Sequence, residues 1–109
     1  MERGQLGEFE ELVLLITAVL HGNAYGISVM DEIASQTGRQ ANISAVHTAL
    51  DRLEKKSYLR SKLGGATSER GGRSKRFFEV TDLGIKAIEI NRNIRNSLYS
   101  QIPELLKTQ

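Results

Sequence analysis

The hydrophobic pattern of this chain changes its period, and that change constrains the fold more than any other feature. Up to residue 56 the apolar residues recur at helical spacing, whereas residues 58–63 alternate with a period of two. Residues 75–81 are predicted as a second strand from the apolar and aromatic content of Phe77, Phe78 and Val80. A loop with four glycines in nine residues joins these two segments, which predicts a β-hairpin. Helical spacing returns from residue 82. We therefore expect three helices, a hairpin and a long final helix within 109 residues, the size of one domain.

Three helices are predicted before the hairpin. Residues 8–20 are apolar on several faces, so this helix should be buried on more than one side. Residues 26–37 form a second helix that a following glycine ends. The third helix runs to Lys56 from Ser44, which we expect to be its N-cap. Opposite its apolar stripe lies a polar face made of Ser44, Thr48, Asp51 and Lys55, flanked by His47 and Arg52.

Positive charge is concentrated in one part of the chain. The net charge is only +2, but residues 44–76 carry +6 and residues 1–43 carry −4. A local basic block is typical of a protein that binds a polyanion. A solvated basic face without a partner explains the charge alone equally well. The hairpin segment contributes six of the basic residues: Arg60, Lys62, Arg70, Arg73, Lys75 and Arg76.

The order of these elements predicts a mainly α (α+β) fold, a winged helix-turn-helix followed by a C-terminal dimerisation helix. Residues 1–81 would form the DNA-binding domain and residues 82–109 the dimerisation helix. The third helix, the recognition helix of this fold, fits a major groove about 12 Å wide, and the hairpin reaches phosphates or the minor groove. Double-stranded DNA is therefore the predicted partner. The predicted contacts are Ser44, His47, Thr48, Asp51, Arg52, Lys55, Arg60, Lys62, Arg70, Arg73, Lys75 and Arg76.

Self-association is predicted from the final helix. Its apolar residues recur at near-heptad spacing from Leu83 to Leu98, which favours pairing with another helix. The first helix also has more apolar surface than a small domain can cover. We expect a homodimer whose interface includes Phe9, Leu14, Leu15, Ile90, Ile94 and Leu98.

Several functional classes are disfavoured. Cysteine is absent, and no serine, histidine and carboxylate are arranged as a nucleophilic site, so we do not expect an enzyme. The glycine-rich loop lacks the Lys-Ser/Thr ending of a P-loop and precedes a strand. His21 has no second ligand nearby in sequence, so neither a metal nor a cofactor is predicted. The longest apolar run is too short for a membrane span, and we expect a cytoplasmic protein without a membrane partner.

Four blocks of this sequence also resemble a known family. Residues 6–10, 23–26, 43–56 and 69–84 occur in the same order as in the PadR-like transcriptional regulators, and together they span most of the chain. The short C-terminal part is similar to the small subfamily with one dimerisation helix. The resemblance implies a homodimeric bacterial repressor that binds a pseudo-palindromic operator. A small-molecule effector of unknown identity is a further partner that the resemblance leaves open.

The sequence departs from that family at two positions. His47 stands where the family has tyrosine in its recognition helix, and Ser57 stands where a glycine ends that helix. Tryptophan is absent, so the flat aromatic ligands that some members bind are not supported here. The alternative function is a winged-helix interaction module that uses its basic wing on an acidic protein partner. Salt dependence on duplex DNA distinguishes the two.

Overall fold

The computed structural model describes residues 6–64 and 75–107. The predicted order of elements is confirmed, as is the mainly α winged helix-turn-helix fold. One short helix follows Pro103 in addition. The elements are α1 (Glu8–Val19), α2 (Gly26–Thr37), α3 (Ile43–Lys55), β1 (Leu59–Leu63), β2 (Arg76–Val80), α4 (Asp82–Ser100) and α5 (Glu104–Lys107).

A single hydrophobic core lies between the first three helices and the hairpin. Its fully buried side chains include Leu14 of α1, Ile33 of α2 and Leu50 of α3. The hairpin contributes Leu59 and Phe78, both almost inaccessible to solvent. Burial of large apolar side chains is the dominant stabilising contribution, about 1.5–3 kcal/mol for each. The core therefore fixes the hairpin against the helices as well as the helices against one another.

The expectation that Leu14 is left exposed for a partner subunit is wrong. Its side chain is fully buried within this one chain, together with that of Val13. The physical reason is that α1 contacts α2, α3, α4 and β2, so two of its faces are used within the domain. By contrast, Leu15 is 39% exposed and Val19 is 61% exposed. Leu15 and Val19, which are four residues apart, therefore lie on the exposed side of α1.

The hairpin is antiparallel and is hydrogen-bonded to the loop before α2. Arg60 is paired with Glu79 and Ser61 with Phe78 across the two strands. The backbone N–H of Phe78 donates to the carbonyl oxygen of Ala24 at 2.8 Å. Because side chains alternate along a strand, Phe78 points into the core while Arg60 and Glu79 lie on the outer face.

The ends of α3 differ from the expectation in one respect. Asn42, not Ser44, is the N-cap, and its side-chain oxygen accepts a hydrogen bond from the N–H of Ala45 at 2.8 Å. Asn42 and Ser44 are both good capping residues. The helix starts at the earlier one, which also allows Ile43 to pack against the core. Ser44 consequently lies in the first turn of the helix, where its side chain is exposed.

The C-terminal end of α3 has the geometry of a Schellman motif without a glycine. Ser57 has a φ of 68°, in the left-handed region. Its N–H donates to Glu54 at 2.9 Å, and the next N–H, that of Tyr58, donates to Leu53 at 3.0 Å. This pair of hydrogen bonds defines the motif. The residue at this position bears a Cβ that the left-handed conformation disfavours.

Helix α4 starts against the end of α3 and also contacts α1. Thr81 caps it, accepting from the N–H of Gly84 at 3.0 Å, and donates to the Ser57 carbonyl at 2.6 Å. A Cβ at Gly84 would collide with the carbonyl oxygen of Tyr58, so this glycine permits the close approach. Residues 92–100 are all exposed. The radius of gyration is 16.2 Å, compared with about 13 Å for a compact domain of similar length.

None of the helices in the described part of the chain combines the length and apolar character needed to cross a membrane.

The first testable prediction concerns the strain at Ser57. Replacing Ser57 by glycine should raise the free energy of unfolding by about 0.5–1 kcal/mol, because glycine removes the left-handed penalty while keeping both hydrogen bonds. Urea denaturation monitored by circular dichroism measures this. The matched control is Ser35→Gly in the interior of α2, which should lower stability by about 0.5 kcal/mol. Equal destabilisation by both variants would contradict the interpretation.

Candidate nucleic-acid interface

The recognition helix α3 has one buried and one exposed face. Val46, Ala49, Leu50 and Leu53 are buried. The structure places all six predicted contacts of this helix on the exposed side: Ser44, His47, Thr48, Asp51, Arg52 and Lys55. These side chains are polar or charged and lie along a helix of 13 residues, which is about 20 Å long. Such a helix has the dimensions and hydrogen-bonding groups needed to enter a major groove.

His47 also packs against the start of α2. Its Cε1 atom would lie 2.5 Å from a Cβ placed at Gly26, so a residue with a side chain there would displace the imidazole. Glycine at position 26 thus lets α2 and α3 approach at this point. The sequence left His47 as either a DNA contact or an ordinary surface histidine, and it did not indicate this contact with Gly26.

Glu10 of α1 contacts two cations near the C-terminal end of the recognition helix. Its carboxylate lies 2.7 Å from Lys56 Nζ and 3.7 Å from Arg52 Nη1. The Glu10 side chain is only 13% exposed, whereas Arg52 is 67% exposed. Arg52 therefore remains accessible at the edge of the polar face, on the side of α1. The sequence did not indicate this acidic partner, because it is more than 40 residues away along the chain.

The outer face of the hairpin carries two of the predicted phosphate contacts, Arg60 and Lys62, both exposed. Arg60 Nε donates to Glu79 Oε1 at 3.0 Å. This hydrogen bond and the positive charge of Arg60 lower the pKa of Glu79 below its ordinary value, and the charge of Lys62 acts in the same direction. The outer face thus combines two cations with one carboxylate that stays ionised.

Arg76 lies on the other side of the hairpin. It pairs with Leu63 in the strand register, and its Nη1 donates to Ser61 Oγ at 2.9 Å. Ser61 in turn donates to Glu54 Oε2 on α3 at 2.7 Å. The strand register therefore separates Arg76 from Arg60 and Lys62, although all three belong to the basic hairpin segment.

An aromatic cluster that the sequence analysis missed lies where α2 meets the hairpin. The rings of Tyr25 and Phe77 are in edge-to-face contact, with centroids 5.4 Å apart. Lys75 Nζ lies 4.1 Å from the centre of the Tyr25 ring. A cation over an aromatic face is attracted to it, so Lys75 is held at the end of the hairpin where Leu63 pairs with Arg76. Phe77 could have indicated this cluster in the sequence, because a large aromatic residue on the outer face of the hairpin needs a partner to cover it.

The remaining two predicted contacts, Arg70 and Arg73, lie outside the described residues.

The residues predicted at a dimer interface fall into two groups. Ile90, Ile94 and Leu98 form a line along α4 and are 44%, 53% and 61% exposed. Phe9 instead packs against the core, and the guanidinium of Arg39 lies 4.9 Å from its ring centre. The three residues of α4 are an apolar line without a partner among the described residues, and Leu15 on α1 is exposed as well.

Three helices, a two-stranded hairpin directly after the third, and a polar exposed face on that third helix define a winged helix-turn-helix protein. The model of the transcriptional regulator PadR-like family matches residues 14–90, and the chain belongs to that family. Its members are DNA-binding regulators of transcription and not enzymes. No curated protein sequence matches the chain.

Solved structures with the same fold come from several organisms. A PadR-like transcription factor from Bacteroides fragilis superposes with a TM-score of 0.73 at 15% identity, covering 89% of this chain and 88% of that one. A PadR family regulator from Eggerthella lenta gives 0.71 at 22% identity, covering 94% and 88%. Bacillus subtilis PadR in complex with operator DNA gives 0.64 at 14% identity, covering 78% and 46%. At these identities the likeness concerns the fold.

A second prediction follows from the Arg60–Glu79 hydrogen bond. In a carbon-13 NMR titration, the Glu79 carboxyl of the parent protein should titrate below the ordinary glutamate range, and Arg60→Gln should raise its pKa. Because the folded-state pKa is depressed, any stabilisation by this pair is present above the ordinary pKa and is lost as the pH falls through the depressed value. Lys86→Gln on α4 is the control and should leave the Glu79 titration unchanged. The same Glu79 pKa in all three proteins would contradict the assignment.

Proposed function

We propose that this protein is a homodimeric repressor that binds a two-fold symmetric site on duplex DNA. The observation that carries the proposal is the exposed polar face of α3, with Arg60 and Lys62 on the adjoining hairpin. Bacillus subtilis PadR has the same fold and has been solved in complex with operator DNA, which supports the same kind of partner here. Binding at a promoter would prevent access by the transcription machinery.

The two kinds of contact have different roles in this proposal. Ser44, His47 and Thr48 lie in the first half of α3, where side chains can reach base edges in the major groove. Lys55, Arg60 and Lys62 contact phosphates, which position the protein and supply affinity for every sequence. Arg70 and Arg73 are further proposed phosphate contacts, and Asp51, Arg52, Lys75 and Arg76 complete the predicted set.

Dimerisation is proposed through α4. Ile90, Ile94 and Leu98 repeat every four residues, so they lie on one side of the helix, and all three are exposed in the single chain. Pairing of two α4 helices would bury this line and align two recognition helices about a two-fold axis. Since the proposed partner is genomic DNA, we place the protein in the cytoplasm of a bacterium. A small-molecule effector remains a prediction that rests only on the resemblance to the PadR-like family.

The third prediction tests DNA binding and the phosphate role of Lys62. Affinity for duplex DNA should fall steeply between about 50 and 200 mM salt, and Lys62→Ala should weaken binding to all sequences alike and reduce the salt slope by about one. Fluorescence anisotropy with duplexes from the region upstream of the gene measures both. Lys86→Ala, an exposed cation on α4, is the control. Binding that is absent or insensitive to salt would favour the interaction module instead.

The fourth prediction tests the dimer. Light scattering at micromolar concentration should give the mass of two chains for the parent and of one chain for Ile94→Asp, because a charge in the paired surface is not tolerated. Ile27→Asp is the matched control: Ile27 is 47% exposed, close to the 53% of Ile94, but it lies on α2. A monomeric parent, or a dimeric Ile94→Asp variant, would contradict the proposal.

A further inference from the structure

The arginines and lysines of the proposed interface differ in how they are paired. Arg52 and Arg60 each lie within 4 Å of a glutamate carboxylate, Glu10 and Glu79 respectively. Lys55 and Lys62 form no ion pair with any of the described residues. The arginines thus have partially neutralised charges and restricted positions, whereas these lysines are free to follow the nearest phosphate.

The Arg60–Glu79 pair is suited to hold a phosphate contact in place. Both residues lie on the outer face of the hairpin, directly opposite one another in the strand register. Arg60 uses its Nε to bind Glu79 Oε1 at 3.0 Å, and within the described residues neither of its two Nη atoms has an acceptor. Arginine carries five N–H donors in a rigid plane, so four remain for a phosphate while the fifth keeps the carboxylate. The Arg60 side chain is 72% exposed, so these donors are accessible.

Resting on the proposed DNA-binding function, we propose that Glu79 is a positioning residue that increases the specificity of this protein for its operator. It fixes the direction of Arg60. When the recognition helix lies in the major groove of its operator, the free donors of Arg60 then meet a phosphate. On any other duplex, Arg60 must turn away from Glu79 to reach a phosphate, and the carboxylate itself repels the backbone. Nonspecific binding depends on cations that can reach any phosphate. Glu79 therefore weakens binding to nonspecific DNA more than binding to the operator.

The expected size of the effect follows from the exposure of the pair. An exposed ion pair contributes little to stability, so its removal should change folding little and DNA binding by about fivefold. Glu79→Gln keeps the shape of the side chain but removes the charge and weakens the hydrogen bond to Arg60. Its binding to nonspecific DNA should therefore increase, an outcome that loss of folded protein cannot produce.

The experiment measures two affinities for each full-length protein as salt is varied. One duplex is selected from a random-sequence library by the parent protein, and the other is a scrambled version of it. For Glu79→Gln we expect about fivefold tighter binding to the scrambled duplex, with a salt slope steeper by about one, and less than about a twofold change on the selected duplex. Arg60→Lys, which lacks the fork of donors, should lose affinity for the selected duplex and keep it for the scrambled one.

Glu89→Gln is the matched control, because it makes the same change of charge at an exposed position on α4. If Glu79→Gln behaves like this control, or tightens binding to both duplexes equally, Glu79 does not position Arg60 for specificity. Weaker binding to both duplexes would show that Glu79 only supports the hairpin, and would also overturn the proposal. A parent protein that shows neither sequence preference nor salt dependence would instead contradict the proposed function itself.

Discussion

Enclosure of α1 is the constraint on which the rest of the structure depends. Val13, Leu14, Ile16 and Thr17 are buried on it, and it contacts α2, α3, α4 and β2. The Thr17 hydroxyl donates to the Val13 carbonyl at 2.7 Å, so even the polar group in this buried segment is satisfied. Because the recognition helix packs on one side of α1 and the hairpin on another, the direction of α1 determines how the two are presented together.

Charge on α1 reinforces this arrangement. Its N-terminal turns carry three glutamates, and each is paired with a cation from a different element: Glu8 with Arg39 after α2, Glu10 with Lys56 at the end of α3, and Glu11 with Arg95 on α4. Acidic residues are also favoured at a helix N-terminus by the helix dipole. These three glutamates thus join α1 to three other parts of the domain, and the residues of the exposed face of α3 remain accessible.

Local patterns predicted the elements, and long-range contacts account for what could not be predicted. The spacing of apolar residues was sufficient for three helices and the hairpin, and the polar face of α3 follows from its own sequence. The interior location of Leu14 depends on which faces of α1 its neighbours cover, which no local pattern records. The position of Arg76 on the inner face needed the strand register, and the partner of Arg60 needed the pairing of β1 with β2. The capping of α3 by Asn42 was a choice between two neighbouring residues of similar propensity.

The peptide around Tyr58 has a consequence for how two sites on DNA would be spaced. The Tyr58 carbonyl accepts from the N–H of Thr81 at 3.0 Å, and Gly84 lies against this carbonyl. The Thr81 hydroxyl donates to the Ser57 carbonyl. The end of α3 is thereby joined to the start of α4 through hydrogen bonds to two consecutive backbone carbonyls. Two copies paired through α4 would carry their recognition helices as the ends of two rigid arms. A rotation of one α4 on the other would then change the distance between the half-sites that the pair can read, because the rigid junction at Tyr58 would transmit that rotation to each recognition helix.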